Sequence, residues 1–147
     1  MKFLLDANFL MIPGKFKVDI FRELERFGKP ELFTIDLVVK ELSKLSKGKV
    51  NSRKEGDEAI EGVNGRLPSK RRLRASDAFS AKLGLYFIQQ RDIGILETEG
   101  RNADSEMLAL AGKGFTVCTQ DRALISRIKI KGGKAVFLRQ GKYLEMK

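Results

Sequence analysis

Five short apolar runs alternating with helical patterns restrict this chain more than any other feature. "KFLL", "LFTI", "IGILE", "FTVCT" and "KAVFL" read as strands. Apolar spacings of the helical kind predict helices over "VDIFRELERFG", closed by Gly28 and Pro30, and over "LVVKELSKLSK", capped by Asp36. "ASDAFSAKLGLYFIQQR", "NADSEMLALAGKG" and "DRALISRIKI" supply three more, whereas "GKVNSRKEGDEAIEGVNG" reads as a short helix within loops. Strand–helix alternation demands right-handed crossovers and a mostly parallel sheet covered on both faces, hence three layers of α/β/α type. The tail "KYLEMK" is a candidate edge strand, and 147 residues predict a single domain, 1–147. In such sheets the reactive crevice lies beyond the carboxyl ends of the strands.

The opening "MKFLLDANFLMIPG" puts Asp6 at such an end, between two apolar stretches. A carboxylate beside a core is costly unless cations or hydrogen bonds compensate it. Three further acids repeat the problem. Glu41 shares the i, i+3, i+4, i+7 spacing of Val38, Leu42 and Leu45; Asp104 shares that of Met107, Leu108 and Ala111; Asp121 shares that of Leu124, Ile125 and Ile128. Each has a structural reading when taken alone. Asp104 and Asp121 suit the first turn of a helix, and Asp6 could brace a bend. Glu41 comes after the first turn and resists that explanation.

Together, four carboxylates on one crevice would repel one another unless divalent cations neutralised them or some were protonated. The chain has no histidine and one cysteine, Cys118, inside the apolar "FTVCT". Imidazole chemistry, intramolecular disulfides and cysteine-built zinc sites are therefore excluded. Oxygen-only ligation suits Mg²⁺ or Mn²⁺. The formal net charge is +10, from 29 Lys and Arg against 19 Asp and Glu, which points to a polyanionic partner, nucleic acid ahead of a membrane surface or an acidic protein. A basic surface around an acidic metal pocket suits phosphodiester hydrolysis. Asp6 and Pro13 interrupt the N-terminal apolar stretch and no 18-residue apolar span follows, so a cytoplasmic chain without membrane contact is expected.

The order Asp in "LLDAN", Glu in "VVKELSKL", Asp in "NADSEML" and Asp in "CTQDRAL" resembles the PIN-domain nucleases along essentially the whole chain. The resemblance implies a five-strand parallel sheet ordered 3-2-1-4-5 and a metal-dependent endoribonuclease. It assigns catalytic and metal-site roles to Asp6, Glu41, Asp104 and Asp121. Thr119 and Asn8 match supporting polar positions. It also implies in-line attack leaving a 5′-phosphate and a 3′-hydroxyl. "NFLMIPGKFKVDIFRELER" and "ISRIKIKGGKAVFLRQGKYLEM" look most like the branch tied to ribosomal RNA processing in the small-subunit processome. That branch implies pre-rRNA as substrate and a processing-complex protein as partner. VapC-type toxins share the four acids, so a toxin ribonuclease paired with an antitoxin is the alternative. A catalytically silent RNA-binding module is the third reading, and a homodimer stays open.

Basic residues supply the nucleic-acid side. "RLPSKRRLR" reads as a loop in which Lys70, Arg71, Arg72 and Arg74 contact phosphates, with Arg122 beside Asp121 joining them. Arg127, Lys129, Lys131 and Lys134 form a second basic segment. Phe9, Phe16, Phe21, Phe79 and Phe87 read as core rather than base-stacking platforms. There is no GxxxxGK[ST], which argues against a P-loop nucleotide binder.

Overall fold

The computed structural model describes residues 1–47, 67–100 and 102–147, with side chains described in all of these except 67–76. The chain runs β1 (Lys2–Leu5), α1 (Ala7–Leu10), α2 (Ile12–Phe16), α3 (Ile20–Leu24), a 3₁₀ turn (Glu25–Phe27) and β2 (Glu31–Ile35). A helix over 36–47, here α4, follows. Then come α5 (Leu67–Gln90), β3 (Gly94–Leu96), α6 (Ala103–Ala111), β4 (Thr116–Cys118), α7 (Arg122–Ile130), β5 (Ala135–Arg139) and β6 (Tyr143–Met146).

The sheet order is β3-β2-β1-β4-β5-β6, with the first five strands parallel. This is the expected 3-2-1-4-5 order extended by one strand. The tail "KYLEM" adds it antiparallel to β5, pairing Val136 with Met146 and Arg139 with Tyr143. A tight turn suffices there, because an antiparallel neighbour needs no crossover. The outer edge of β6 is partly covered, since Glu23 on α3 accepts a hydrogen bond from the Leu144 N–H at 3.0 Å.

From β1 the chain steps one way to β2 and β3, then reverses to β4 and β5 on the other side of β1. Right-handed crossovers therefore put α1–α5 on one face and α6 and α7 on the opposite one. Accordingly α1 and α2 pack on α5, and α6 packs on α7. Phe3, Leu4 and Leu5 of the central strand are wholly buried, each contributing about 1.5–3 kcal/mol of burial. The reversal between β1 and β4 is the topological switch point, the place where such sheets leave a crevice.

Several expectations are corrected. The helix expected over "VDIFRELERFG" is regular only for Ile20–Leu24 before tightening into the 3₁₀ turn. "LPSKRRLR" is not a loop but the start of α5. Lys and Arg are good helix formers, and Pro68 falls in the first turn, where its missing N–H has no intrahelical partner to lose. The short helix expected within 48–65 lies outside the described residues. Phe9 and Phe21 are core, but Phe16 is 47% exposed at the end of α2, and Phe79 is 57% exposed. Phe79 sits between Ala78 and Ser80, both buried, so the inward stripe of α5 passes it by. Among the described residues no helix is long and apolar enough to cross a membrane.

Candidate active site

β1 and β4 end in register, with Leu5 opposite Cys118. The next residues, Asp6 and Thr119, are therefore neighbours across the switch point. The Thr119 hydroxyl donates to Asp6 Oδ2 at 2.6 Å, and the Ala7 N–H donates to Oδ1 at 2.8 Å. Asp6 thus also serves as the N-cap of α1. Thr119 in turn accepts from the Asp121 N–H at 3.1 Å. Asn8 Oδ1 accepts from the Gln120 N–H at 3.0 Å, tying the start of α1 to the β4–α7 connection.

These bonds compensate Asp6 only in part. It is 6% exposed, and burial pushes its carboxyl from 3.8 up to about 6, against the Thr119 and Ala7 hydrogen bonds. The negative charges of Glu41 and Asp104 push it further in the same direction. Burial and then the Asp104 charge raise Glu41. Burial and then Asp121 raise Asp104, while Arg127 pulls it back. All four acids are therefore electrostatically linked across β1, α4, α6 and α7.

Their surroundings differ from the expected common buried face. Glu41 is exposed, whereas Val38 and Leu42 on the same helix are wholly buried. At 3.6 residues per turn, Glu41 stands about 60° round from Val38, on the flank of the stripe rather than inside it. Asp104 lies half-buried in the first turn of α6, behind the N-cap Asn102. Asp121 is the N-cap of α7, and its Oδ1 accepts from the Ala123 and Leu124 N–H groups at 2.9 and 3.2 Å. Its Oδ2 takes no hydrogen bond among the described residues.

Asp36 was expected only as a helix cap and does more. Its Oδ1 accepts from the Leu37 N–H at 2.9 Å and from the Thr98 N–H and hydroxyl at 3.2 and 2.7 Å. The Thr98 hydroxyl holds the Asp36 carboxyl below its usual range. This clamp joins the head of α4, which carries Glu41, to the connection leading to Asp104. Gln120 was also missed: its Oε1 accepts from the Leu138 N–H at 2.7 Å, standing in for the β4 backbone where that strand has ended. Its place in "TQD", between two site residues, was the available signal.

The basic residues divide. Arg122 is exposed at the head of α7, next to Asp121, and Arg127 faces Asp104 closely enough to lower it. Lys131 and Lys134 lie at the opposite end of the sheet, before β5. Lys70, Arg71, Arg72 and Arg74 belong to α5, but their side chains lie outside those described. Asp77 pairs with Lys15 of α2 at 3.0 Å, away from the acids.

Residues 3–64 match the family model described as a PIN like domain. The fold is similar to that of the PIN domain endonuclease Utp24, with a TM-score of 0.66 and 20% identity over 98% of this chain and 90% of that one. The fold is PIN-like. A second similar fold is that of a domain of a functionally unknown protein from Methanocaldococcus jannaschii DSM 2661, with a TM-score of 0.52 and 14% identity over 94% of this chain and 91% of that one. No curated protein matches the chain.

Among the described residues, no three acidic side chains are arranged to hold one ion directly. The donor set nevertheless fits a hard cation. It offers only oxygens, is anionic, and raises its own members in a way that a positive charge would relieve. Mg²⁺ keeps several waters and uses only one or two carboxylates, so the other acids would act through water.

Proposed function

We propose that this PIN-like chain is a metal-dependent endoribonuclease acting in RNA processing, with Asp6, Glu41, Asp104 and Asp121 as its catalytic acids. The observation that carries this reading is the meeting of a buried, partly compensated Asp6 with three other acids at the switch point of a basic protein. Carboxylates raised by burial and by one another cluster at functional sites, because each raised group costs stability. The PIN-like family match and the fold shared with an endonuclease support the same chemistry. The net charge of +10 and the resemblance of "NFLMIPG" and the C-terminal segment to the processome branch support RNA as substrate.

Mg²⁺ or Mn²⁺ held by Asp6, Asp104 and Asp121, directly or through water, would screen the acids and take up the charge that builds on the phosphate oxygens. The chain's own part is positional. Thr119 and the Ala7 N–H fix both oxygens of Asp6, and the α7 backbone fixes Oδ1 of Asp121, leaving Oδ2 without a hydrogen bond among the described residues. Glu41, exposed and raised, orients the attacking water and accepts its proton. That water's oxygen bonds to phosphorus as the bond to the 3′-oxygen breaks, and the departing oxygen takes a proton from solvent, giving a 5′-phosphate and a 3′-hydroxyl. Arg122 and the basic head of α5 hold the flanking backbone.

The test is incubation of purified protein with RNA and Mn²⁺, alongside EDTA and Asp104→Asn controls. Cleavage that both controls abolish supports the proposal. Cleavage that survives both, or intact RNA bound equally by Asp6→Asn, contradicts it; the latter fits a silent RNA-binding module. Growth arrest on expression, relieved by Asp6→Asn, would mark a toxin with an antitoxin partner instead of a processing enzyme.

A further inference from the structure

A groove of 590 Å³ lies between α7 and the β5–β6 end of the sheet, lined among others by Gln120, Arg122, Ile125, Phe137, Arg139 and Lys147. It begins where the acidic crevice ends, because Gln120 and Arg122 flank Asp121 in the chain. Gln120 bridges the two: its backbone N–H reaches Asn8 on the crevice side, and its side chain holds Leu138 on the groove side. The acids and this groove are thus two compartments divided by one residue.

The lining has a consistent chemistry. Three of its residues have cationic side chains, and none has an acidic one. Arg139 is already engaged by Glu145 of β6 at 2.8 Å, which leaves Arg122 and Lys147 as the exposed charges without such a partner among the described residues. The Lys147 ammonium stands 5.8 Å from the centre of the half-buried Phe137 ring, so a cation and an aromatic face are offered together. Cations that hold phosphates beside a ring that stacks a base are the elements of a single-strand nucleic-acid site. The volume falls within the range of about 300–1,000 Å³ typical of small-ligand pockets.

We propose that this groove receives the strand flanking the scissile phosphate, with Arg122 and Lys147 on its backbone and Phe137 against one base of single-stranded RNA. The proposal rests on the nuclease reading for its orientation, but binding alone can test it. The probe is a short fluorescein-labelled single-stranded RNA, titrated in EDTA and followed by anisotropy at several salt concentrations. The Arg122→Ala/Lys147→Ala double variant is compared with Lys29→Ala/Lys113→Ala, which removes equal charge from exposed positions outside the groove, before β2 and β4.

The groove double variant is expected to bind at least about fivefold more weakly and to lower the salt slope by about two, one per lost phosphate contact. The distal pair is expected to bind like the wild type. Equal weakening by both pairs would reduce the effect to net charge and overturn the groove, as would unchanged binding by the groove pair. If Mn²⁺ never yields cleavage but the groove pair alone weakens binding, the nuclease reading fails and the groove stands.

Discussion

Thr119 donates its hydroxyl proton to Asp6 across 2.6 Å, at the point where the two central parallel strands end side by side. The same oxygen accepts from the Asp121 N–H, so one small side chain orients two acids carried by different strands. A hydroxyl is needed because it both gives and takes a hydrogen bond.

Thr119→Val keeps the shape and removes both functions. The Asp6 carboxyl, which this bond now lowers, is expected to rise above about 6, as NMR titration of its carboxyl carbon would show. Mn²⁺ affinity should fall by roughly tenfold or more, the usual effect of losing a group that orients a ligand. Thr119→Ser should restore both. Identical titration curves for Val and Ser would remove Thr119 from the account.

Asp6→Asn should stabilise the metal-free protein near neutral pH. Asp6 holds its proton to about 6 when folded but only to about 3.8 when unfolded, so wild-type stability declines as pH rises between those values. Asparagine does not titrate, and its advantage should be small at the acid end and grow toward neutrality, to at most about 3 kcal/mol. Urea melts in EDTA at the two ends of that window check the sign. A variant less stable at neutral than at acid pH, relative to wild type, would show that Asp6 is not raised.

The first five strands and the helices between them were legible because hydrophobic period acts locally, whereas their 3-2-1-4-5 order came from the family resemblance. The one-turn helices of "ANFLMIPGKF" were not, since segments that short carry no period and depend on Asp6 as cap and on packing against α5. Glu41 was placed on the apolar face by spacing, but a difference of one flank decides between core and crevice. The Asp36–Thr98 clamp and the Gln120 bridge join residues 62 and 18 apart in sequence. Long-range hydrogen bonds of that kind leave no trace in a pattern read along the chain.

Added Mn²⁺ should raise the melting temperature of the wild type. A ligand at a hundred times its dissociation constant contributes about 2.7 kcal/mol. Asp6→Asn and Asp104→Asn should lose most of the shift, while Asp77→Asn, whose partner is Lys15, should keep it. Equal shifts in all four proteins would place the ion elsewhere.

Gly14→Ala offers a control on the scaffold. The new Cβ would sit 2.7 Å from Cα of the fully buried Ser80, where α2 meets α5. Overpacking of this kind costs about 1–3 kcal/mol. The melting temperature should fall, with cleavage unchanged while the protein stays folded; loss of cleavage without loss of stability would tie this contact to the site.

The most direct measurement is anomalous diffraction at the manganese edge from crystals soaked in Mn²⁺. A peak in the crevice, with Asp6 and at least one of Glu41, Asp104 and Asp121 within direct or single-water reach, is the result predicted. Full soaking with no peak there, or a peak held by acids outside these four, would contradict the claim that they share one ion.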